Sequence, residues 1–183
     1  MQNPAMHPDC AEILISKEML EAKVAELGAA LTERYKGQEL VVIGLLKGSF
    51  VFLSDLVRHM DCDMDIEFMV VSSYRDSTVS SGDVRIGLDL KSDIKDKHVL
   101  LVEDILDTGN TLSLIRKLLL SRGPASVEIC TLLDKPARRT ADIKADYVGF
   151  TIGNQFIIGY GLDYAQKYRN LPYIGILKPE MYR

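Results

Sequence analysis

Cysteine is scarce in this sequence of 183 residues, and its spacing excludes two common structural roles. Only Cys10, Cys62 and Cys130 are present. An odd number of cysteines with no two close together forms neither a disulfide framework nor the CxxC pairs of a zinc knuckle. We therefore expect a protein of a reducing compartment and predict a cytoplasmic location.

Long apolar runs and low-complexity segments are also missing. No run approaches the roughly 18 residues that a membrane-crossing helix needs, and residues 1–9 lack the basic and apolar regions of a secretory leader. The six prolines are scattered and do not form a linker. These absences predict a single domain over residues 1–183 without membrane association.

A basic excess is absent as well. The chain has 26 acidic residues against 22 lysines and arginines, a net charge of -4. This balance is unfavourable for binding nucleic acid, so we expect no nucleic-acid partner. A polyanionic substrate would have to be attracted locally.

Short apolar runs alternate with amphipathic segments along the chain. Residues 40–46 (LVVIGLL) and 98–103 (HVLLVE) are typical of strands covered on both faces. Helices are predicted from Ser16 to about Lys36, over 49–60 and over 111–121. This order predicts an α/β fold with a mostly parallel sheet, which binds ligands at the carboxyl ends of its strands. The other predicted strands are residues 66–71, 85–90, 127–133, 147–152, 156–160 and 174–177.

The segment after the strand 98–103 carries the clearest chemical signal. Glu103, Asp104 and Asp107 place three carboxylates within five residues. Glu103 and Asp104 are acceptors suited to a divalent cation or to the paired hydroxyls of a ribose. Residues 107–111 (DTGNT) begin a helix, where free backbone N–H groups bind phosphate. A capped turn would use the same residue types, but their order favours a phosphorylated pentose as the ligand.

Residues 102–111 (VEDILDTGNT) closely resemble the phosphoribosyl-pyrophosphate signature of the type I phosphoribosyltransferases. The resemblance extends over roughly residues 12–178 and implies the fold of that family, with a small hood subdomain built from the N- and C-terminal segments and a mobile lid loop at about 72–84. Further segments resemble the hypoxanthine-guanine branch: residues 46–49 (LKGS), 73–74 (SY), 133–135 (LDK), 156–164 (FIIGYGLDY) and 169–171 (RNL).

The resemblance also implies an activity. A hypoxanthine-guanine phosphoribosyltransferase moves the 5-phosphoribosyl group from phosphoribosyl pyrophosphate to N9 of hypoxanthine or guanine, and gives IMP or GMP and pyrophosphate in purine salvage. Mg²⁺ would be held by Glu103, Asp104 and Asp163. Asp107 would be the catalytic residue, facing N7 of the purine. Members of the family form dimers and tetramers, so we expect a homodimer or homotetramer.

The remaining substrate contacts follow from the same resemblance. Lys135 would donate to the 6-oxygen of the purine and so favour hypoxanthine and guanine over adenine. Phe156 would stack on the base, and the backbone of Ile157 would contact its edge. The other contacts would be Lys47, Gly48 and Arg169 with pyrophosphate, Thr108, Gly109, Asn110 and Thr111 with the 5′-phosphate, and Ser73 and Tyr74 in the lid.

Simpler interpretations stay open at this point. Lys135 would ordinarily be a solvated surface lysine, Phe156 a core aromatic residue and Asp107 a structural acid. The resemblance further implies that the peptide bond between Leu46 and Lys47 can be cis. The alternative functions are a xanthine-preferring phosphoribosyltransferase and a nucleotide-sensing regulatory protein on the same fold, and the acid excess argues against the second.

Overall fold

A computed structural model describes residues 5–73 and 84–182. Three helices of more than one turn occur in these ranges: α1 (Lys17–Tyr35), α2 (Phe50–Val57) and α3 (Asn110–Leu120). The strands are β1 (Cys10–Ile15), β2 (Leu40–Leu46), β3 (Met64–Ser73), β4 (Val84–Leu88), β5 (His98–Leu106), β6 (Ser126–Asp134), β7 (Tyr147–Thr151), β8 (Ile157–Ile158) and β9 (Ile174–Leu177).

Six strands form the main sheet in the order β4-β3-β2-β5-β6-β7. Every neighbouring pair is parallel except β3 with β4, which is antiparallel. The predicted α/β fold with a mostly parallel sheet is therefore confirmed. The carboxyl ends of β2, β5 and β6 share one edge of this sheet, and the loops that follow them meet there.

Both faces of the main sheet are covered, which explains the continuous apolar runs of β2 and β5. Val42 and Leu100 belong to a core that also contains buried side chains of α1 and α2. Val41 and Leu101 belong to a second core, on the face covered by α3. Successive residues of a strand point to opposite faces, so both must be apolar when each face carries a helix.

Helix α1 follows its sequence pattern closely. The Ser16 hydroxyl accepts a hydrogen bond from the Met19 backbone N–H at 3.3 Å, and this N-cap sets the first turn. Leu20 and Leu31 lie on the buried face, as their spacing predicts. None of the helices in residues 5–73 and 84–182 is long and apolar enough to cross a membrane.

A second, antiparallel sheet has the order β1-β9-β8 and joins the two ends of the described chain. In this sheet Ile15, the last residue of β1, pairs with Ile174, the first residue of β9. Strand β1 was not predicted, because three of its six residues are exposed. Strand β8 is shorter than the predicted 156–160, because residues 159–161 turn away with positive φ.

A charged cluster joins α1 to the amino-terminal half of β6. The Glu128 carboxylate accepts hydrogen bonds from Arg34 Nε at 3.0 Å and from the Tyr35 hydroxyl at 2.9 Å. Tyr35 is fully buried. Burial acts to raise the pKa of Glu128, but the hydrogen bonds from Arg34 and Tyr35 outweigh it, so the pKa is lowered. The folded state therefore favours the charged form of this carboxyl.

We predict that Glu128→Ala lowers the free energy of unfolding by about 2–4 kcal/mol, since it leaves a buried hydroxyl and a guanidinium without their acceptor. Because the pKa is lowered on folding, this stabilisation is present above the ordinary carboxyl range and is lost as the pH falls through the lowered pKa. Urea unfolding at neutral and acidic pH measures both effects. The control Glu26→Ala removes an exposed ion pair with Lys23 and should cost at most about 0.5 kcal/mol. Equal effects of the two variants would contradict the prediction.

Candidate active site

The two acids expected in a loop lie instead on β5, which continues to Leu106. Pairing with β2 stops at Val102, whereas pairing with β6 continues as far as Asp134. The last residues of β5 therefore have a neighbour on one side only. Asp104 is buried there, Glu103 is half-buried, and Glu103 Oε2 is buried without a hydrogen-bond partner among the described residues.

Burial raises the pKa of both carboxyl groups, and the adjacent charge of Asp104 raises that of Glu103 further. The charge of Arg169 partly opposes this effect at Asp104. An unpartnered carboxylate oxygen in such a place is suited to a hard divalent cation. The described residues contain no group of three or more His, Cys, Asp or Glu side chains that could hold a metal ion.

The segment after β2 lies directly against Asp104. A Cβ atom added to Gly48 would be 1.9 Å from Asp104 Oδ2, so only glycine fits at this position. The peptide bond between Leu46 and Lys47 is cis, the conformation that the resemblance allows there. The Lys47 ammonium is exposed and lies 3.4 Å from Gln166 Oε1.

The predicted phosphate site lies where β5 ends and α3 begins. Gly109 is the N-cap of α3 with a φ of 83°, a conformation that favours glycine. Helix α3 therefore starts at Asn110, one residue before its predicted start, and its first N–H groups have no partner within the helix. The Thr108 carbonyl accepts hydrogen bonds from the backbone N–H groups of Thr140 and Ala141. These bonds attach the loop before α3 to the segment after β6.

Arg139 fixes this loop and was not identified from the sequence. Its Nε donates to the Asp107 carbonyl at 2.9 Å, its Nη2 to the Leu106 carbonyl at 3.0 Å, and its Nη1 to the Ile143 carbonyl at 2.9 Å. Nη2 also pairs with the Asp134 carboxylate. A guanidinium can serve four acceptors because its donors are fixed in a plane. No spacing pattern connects residues 139 and 107, so the sequence carried no signal for this contact.

The predicted catalytic acid and the predicted purine lysine are close enough to interact. Burial lowers the pKa of Lys135, and the charge of Asp107 partly opposes that shift. Lys135 is 6% exposed, and its ammonium donates to the Gln155 carbonyl at 2.7 Å. The interpretation of Lys135 as a solvated surface residue is therefore wrong. Asp107 Oδ1 is buried, and Arg138 Nε lies 3.1 Å away without the alignment of a hydrogen bond.

The segment from Phe156 to Arg169 includes β8 and forms the side of the site that belongs to the small sheet. Phe156 is 38% exposed, which excludes its interpretation as a core aromatic residue, and Ile157 is buried in β8. Asp163 Oδ1 lies 2.7 Å from Arg169 Nη2, and Asp163 Oδ2 accepts from the Gln166 N–H. Both oxygens of Asp163 are thus engaged within the protein. The guanidinium of Arg169 also donates to the Gly161 carbonyl at 2.6 Å.

One part of the predicted site lies outside the described residues. Tyr74 and most of the expected lid at 72–84 belong to residues 74–83, and of Ser73 only the backbone, at the end of β3, is described.

The other predicted segments converge at the carboxyl edge of the main sheet, and residues 12–165 match the family model of the phosphoribosyl transferase domain. The chain belongs to the phosphoribosyltransferase family. It is 55% identical to the hypoxanthine-guanine phosphoribosyltransferase of Staphylococcus aureus (strain Mu50), over 97% of this chain and 99% of that protein. A crystal structure of the hypoxanthine phosphoribosyltransferase of S. aureus, 54% identical, superposes with a TM-score of 0.94 and covers 100% of both chains.

A further phosphoribosyltransferase relative is much longer. The bifunctional protein TilS/HprT of Listeria monocytogenes (strain F2365) is 51% identical over 98% of this chain. The chain spans only 28% of the length of that relative.

We predict that Arg139→Lys lowers kcat/KM for phosphoribosyl pyrophosphate by about 10- to 100-fold, because a lysine cannot hold the loop carbonyls of Leu106 and Asp107 together. Steady-state kinetics measure this effect, with circular dichroism to show that the variant is folded. The control Arg122→Lys alters an exposed pair with Asp89 and should leave kcat/KM unchanged. Wild-type kcat/KM in Arg139→Lys would show that the loop holds its geometry without the guanidinium.

Proposed function

We propose that the chain is a purine-salvage enzyme that transfers the 5-phosphoribosyl group from phosphoribosyl pyrophosphate to N9 of hypoxanthine or guanine. The observation that carries this proposal is the buried ammonium of Lys135. The charge of Asp107 acts on this ammonium, which donates a hydrogen bond to the carbonyl of Gln155, the residue before Phe156. A fixed donor at this position favours an oxygen at purine C6 and opposes the amino group of adenine.

The carboxylates of the site are suited to stabilise the positive charge that develops on the sugar. When pyrophosphate leaves C1 of the ribose, the ring passes through a state with oxocarbenium character, which nearby carboxylates stabilise. Glu103 and Asp104, near the end of β5, would provide this stabilisation. The amides at the start of α3 and the hydroxyls of Thr108 and Thr111 hold the 5′-phosphate. As N9 bonds to C1 and the bond from C1 to pyrophosphate breaks, the Asp107 carboxylate accepts the proton from N7, which keeps the purine neutral.

Mg²⁺ is the cation that we propose for this site. Glu103 and Asp104 fit it, because Mg²⁺ binds through one or two carboxylates and completes its sphere with substrate phosphates and water. When bound, the metal neutralises charge on the leaving pyrophosphate. Because the pKa of both carboxyls is raised, protons compete with Mg²⁺, and its affinity should fall as the pH falls. Asp163 is the proposed ligand of a second Mg²⁺, and one of its oxygens is already in contact with Arg169.

The domain assignment is also part of the proposal. We assign the sheet β1-β9-β8 as the hood of one phosphoribosyltransferase domain, with residues around 72–84 as its lid. The cytoplasmic location stays a prediction from the cysteine content. A xanthine-preferring enzyme remains the alternative within this class. The regulatory alternative is disfavoured by the acid excess of the chain, since RNA binding requires a basic face.

We further propose that two copies of the chain associate through β3 and β4. Ile66 and Phe68 on β3, with Ile86 and Leu88 on β4, are large apolar side chains that are at least 36% exposed at this end of the sheet. Apolar patches of this kind mark association surfaces. We expect light scattering to give a mass of at least twice 20.5 kDa, and Phe68→Lys to shift it towards one chain. A wild-type chain that stays monomeric at about 100 µM, a concentration at which even weak pairs form, would contradict the proposal.

The activity is tested by incubating the purified chain with phosphoribosyl pyrophosphate and each of hypoxanthine, guanine and xanthine, with and without Mg²⁺. We expect IMP and GMP to form only with Mg²⁺ present. Asp107→Asn should lower kcat by at least about 100-fold, because it removes the proton partner of N7. Asp142→Asn, an exposed control, should be unaffected. Preferential use of xanthine would favour the alternative enzyme, and no nucleotide product from any base would overturn the proposal.

A further inference from the structure

The aromatic ring of Phe156 has a partner from the C-terminal end of the described chain. The rings of Phe156 and Tyr182 are stacked, with centroids 4.7 Å apart and planes inclined by 19°. The ring of Tyr164 meets Phe156 edge-on, at 5.5 Å and 88°. Both geometries are favourable for aromatic pairs. Tyr182 therefore covers one face of Phe156, while Tyr164 limits its position from the side.

Part of the Phe156 side chain remains open to a ligand. Although two rings contact it, Phe156 is still 38% exposed. An apolar ring left open in this way, beside a buried lysine ammonium, offers a planar ligand both a stacking surface and a polar anchor. The anchor is close in the chain, since Lys135 donates to the carbonyl of Gln155, the residue before Phe156.

Tyr182 is held in place by the backbone around it. Pro179 to Met181 form a 3-10 turn, in which the Met181 N–H donates to the Lys178 carbonyl at 3.0 Å. The Leu177 N–H donates to the Phe156 carbonyl at 2.8 Å, and the Lys178 N–H donates to the Asp9 carbonyl at 3.0 Å. The two stacked rings are thus both attached to the end of β9.

We propose that Tyr182 is a positioning residue of the purine site. It fixes the Phe156 ring by stacking on the face away from the base, so that the purine is received on the opposite face. This inference rests on the proposed function. A phenylalanine exposed at the end of a strand can adopt several rotamers, and a second ring removes that freedom before the ligand binds. Ordering the ring in advance reduces the entropy lost on binding, which strengthens affinity for the base.

The inference predicts a selective effect on the base. Tyr182→Ala should raise KM for hypoxanthine and guanine by about 3- to 10-fold, as expected for the loss of one aromatic pair. KM for phosphoribosyl pyrophosphate should not change, because its proposed contacts lie on β5, on α3, in the segment after β2 and at Arg169, and the stacked ring of Tyr182 contacts Phe156. The conservative Tyr182→Phe keeps the ring and should restore the wild-type KM. Initial rates with each substrate varied in turn give these constants.

The matched control is Met181→Ala, which truncates an exposed apolar side chain in the same turn. It should leave both KM values unchanged, and thermal unfolding of all variants tests for a general loss of structure. An unchanged KM for the base in Tyr182→Ala would overturn the inference alone. A lowered KM would also overturn it, since Tyr182 would then be competing with the base. If the wild-type chain uses no purine base, the proposed function and this inference fail together.

Discussion

Glu103 and Asp104 lie side by side at the end of β5, where Asp104 and the Oε2 atom of Glu103 are buried, and the pKa of each carboxyl is raised because little water or positive charge surrounds it. Much of the surrounding structure is arranged around this unfavourable pair. Gly48 lacks a side chain because Asp104 fills the space where its Cβ would be. Arg169 brings an opposing charge to Asp104, from a segment that follows β8 of the small sheet. The cation proposed for this site would offset both carboxylates, and it would reconcile the proposed polyanionic substrate with an acidic chain.

The division between the two sheets matches a division of chemistry. The main sheet provides most of the groups that are proposed to hold the sugar, its phosphate and pyrophosphate, because β2, β5 and β6 end at one edge and helix α3 begins there. The small sheet provides Phe156 and Ile157, which are proposed to contact the base. Lys135 stands between them, at the end of β6 and bonded to the segment before β8. The position of a lysine head group thus depends on both sheets.

Sequence patterns were reliable wherever local chemistry decides the structure. Strand β2 has both of its predicted bounds, since an apolar run is needed when helices cover each face. The Ser16 cap of α1 depends only on residues within one turn. Strand β1 was not predicted, because its stability comes from pairing with β9, far along the chain. Arg139 and Tyr182 were not predicted for the same reason. Arg139 binds the Asp107 carbonyl and Tyr182 stacks on Phe156, and no sequence spacing connects either residue to its partner.

The pairing of β1 with β9 also sets an order for folding during synthesis. Strand β1 is made before the strands of the main sheet, but its partner β9 leaves the ribosome only after every strand of the main sheet has been made. Contacts between such distant segments form late, because a long loop must close before they are made. The edge proposed to bind phosphate can therefore form while the small sheet is still unpaired. On this order, the groups proposed for the sugar phosphate would be in place before those proposed for the base.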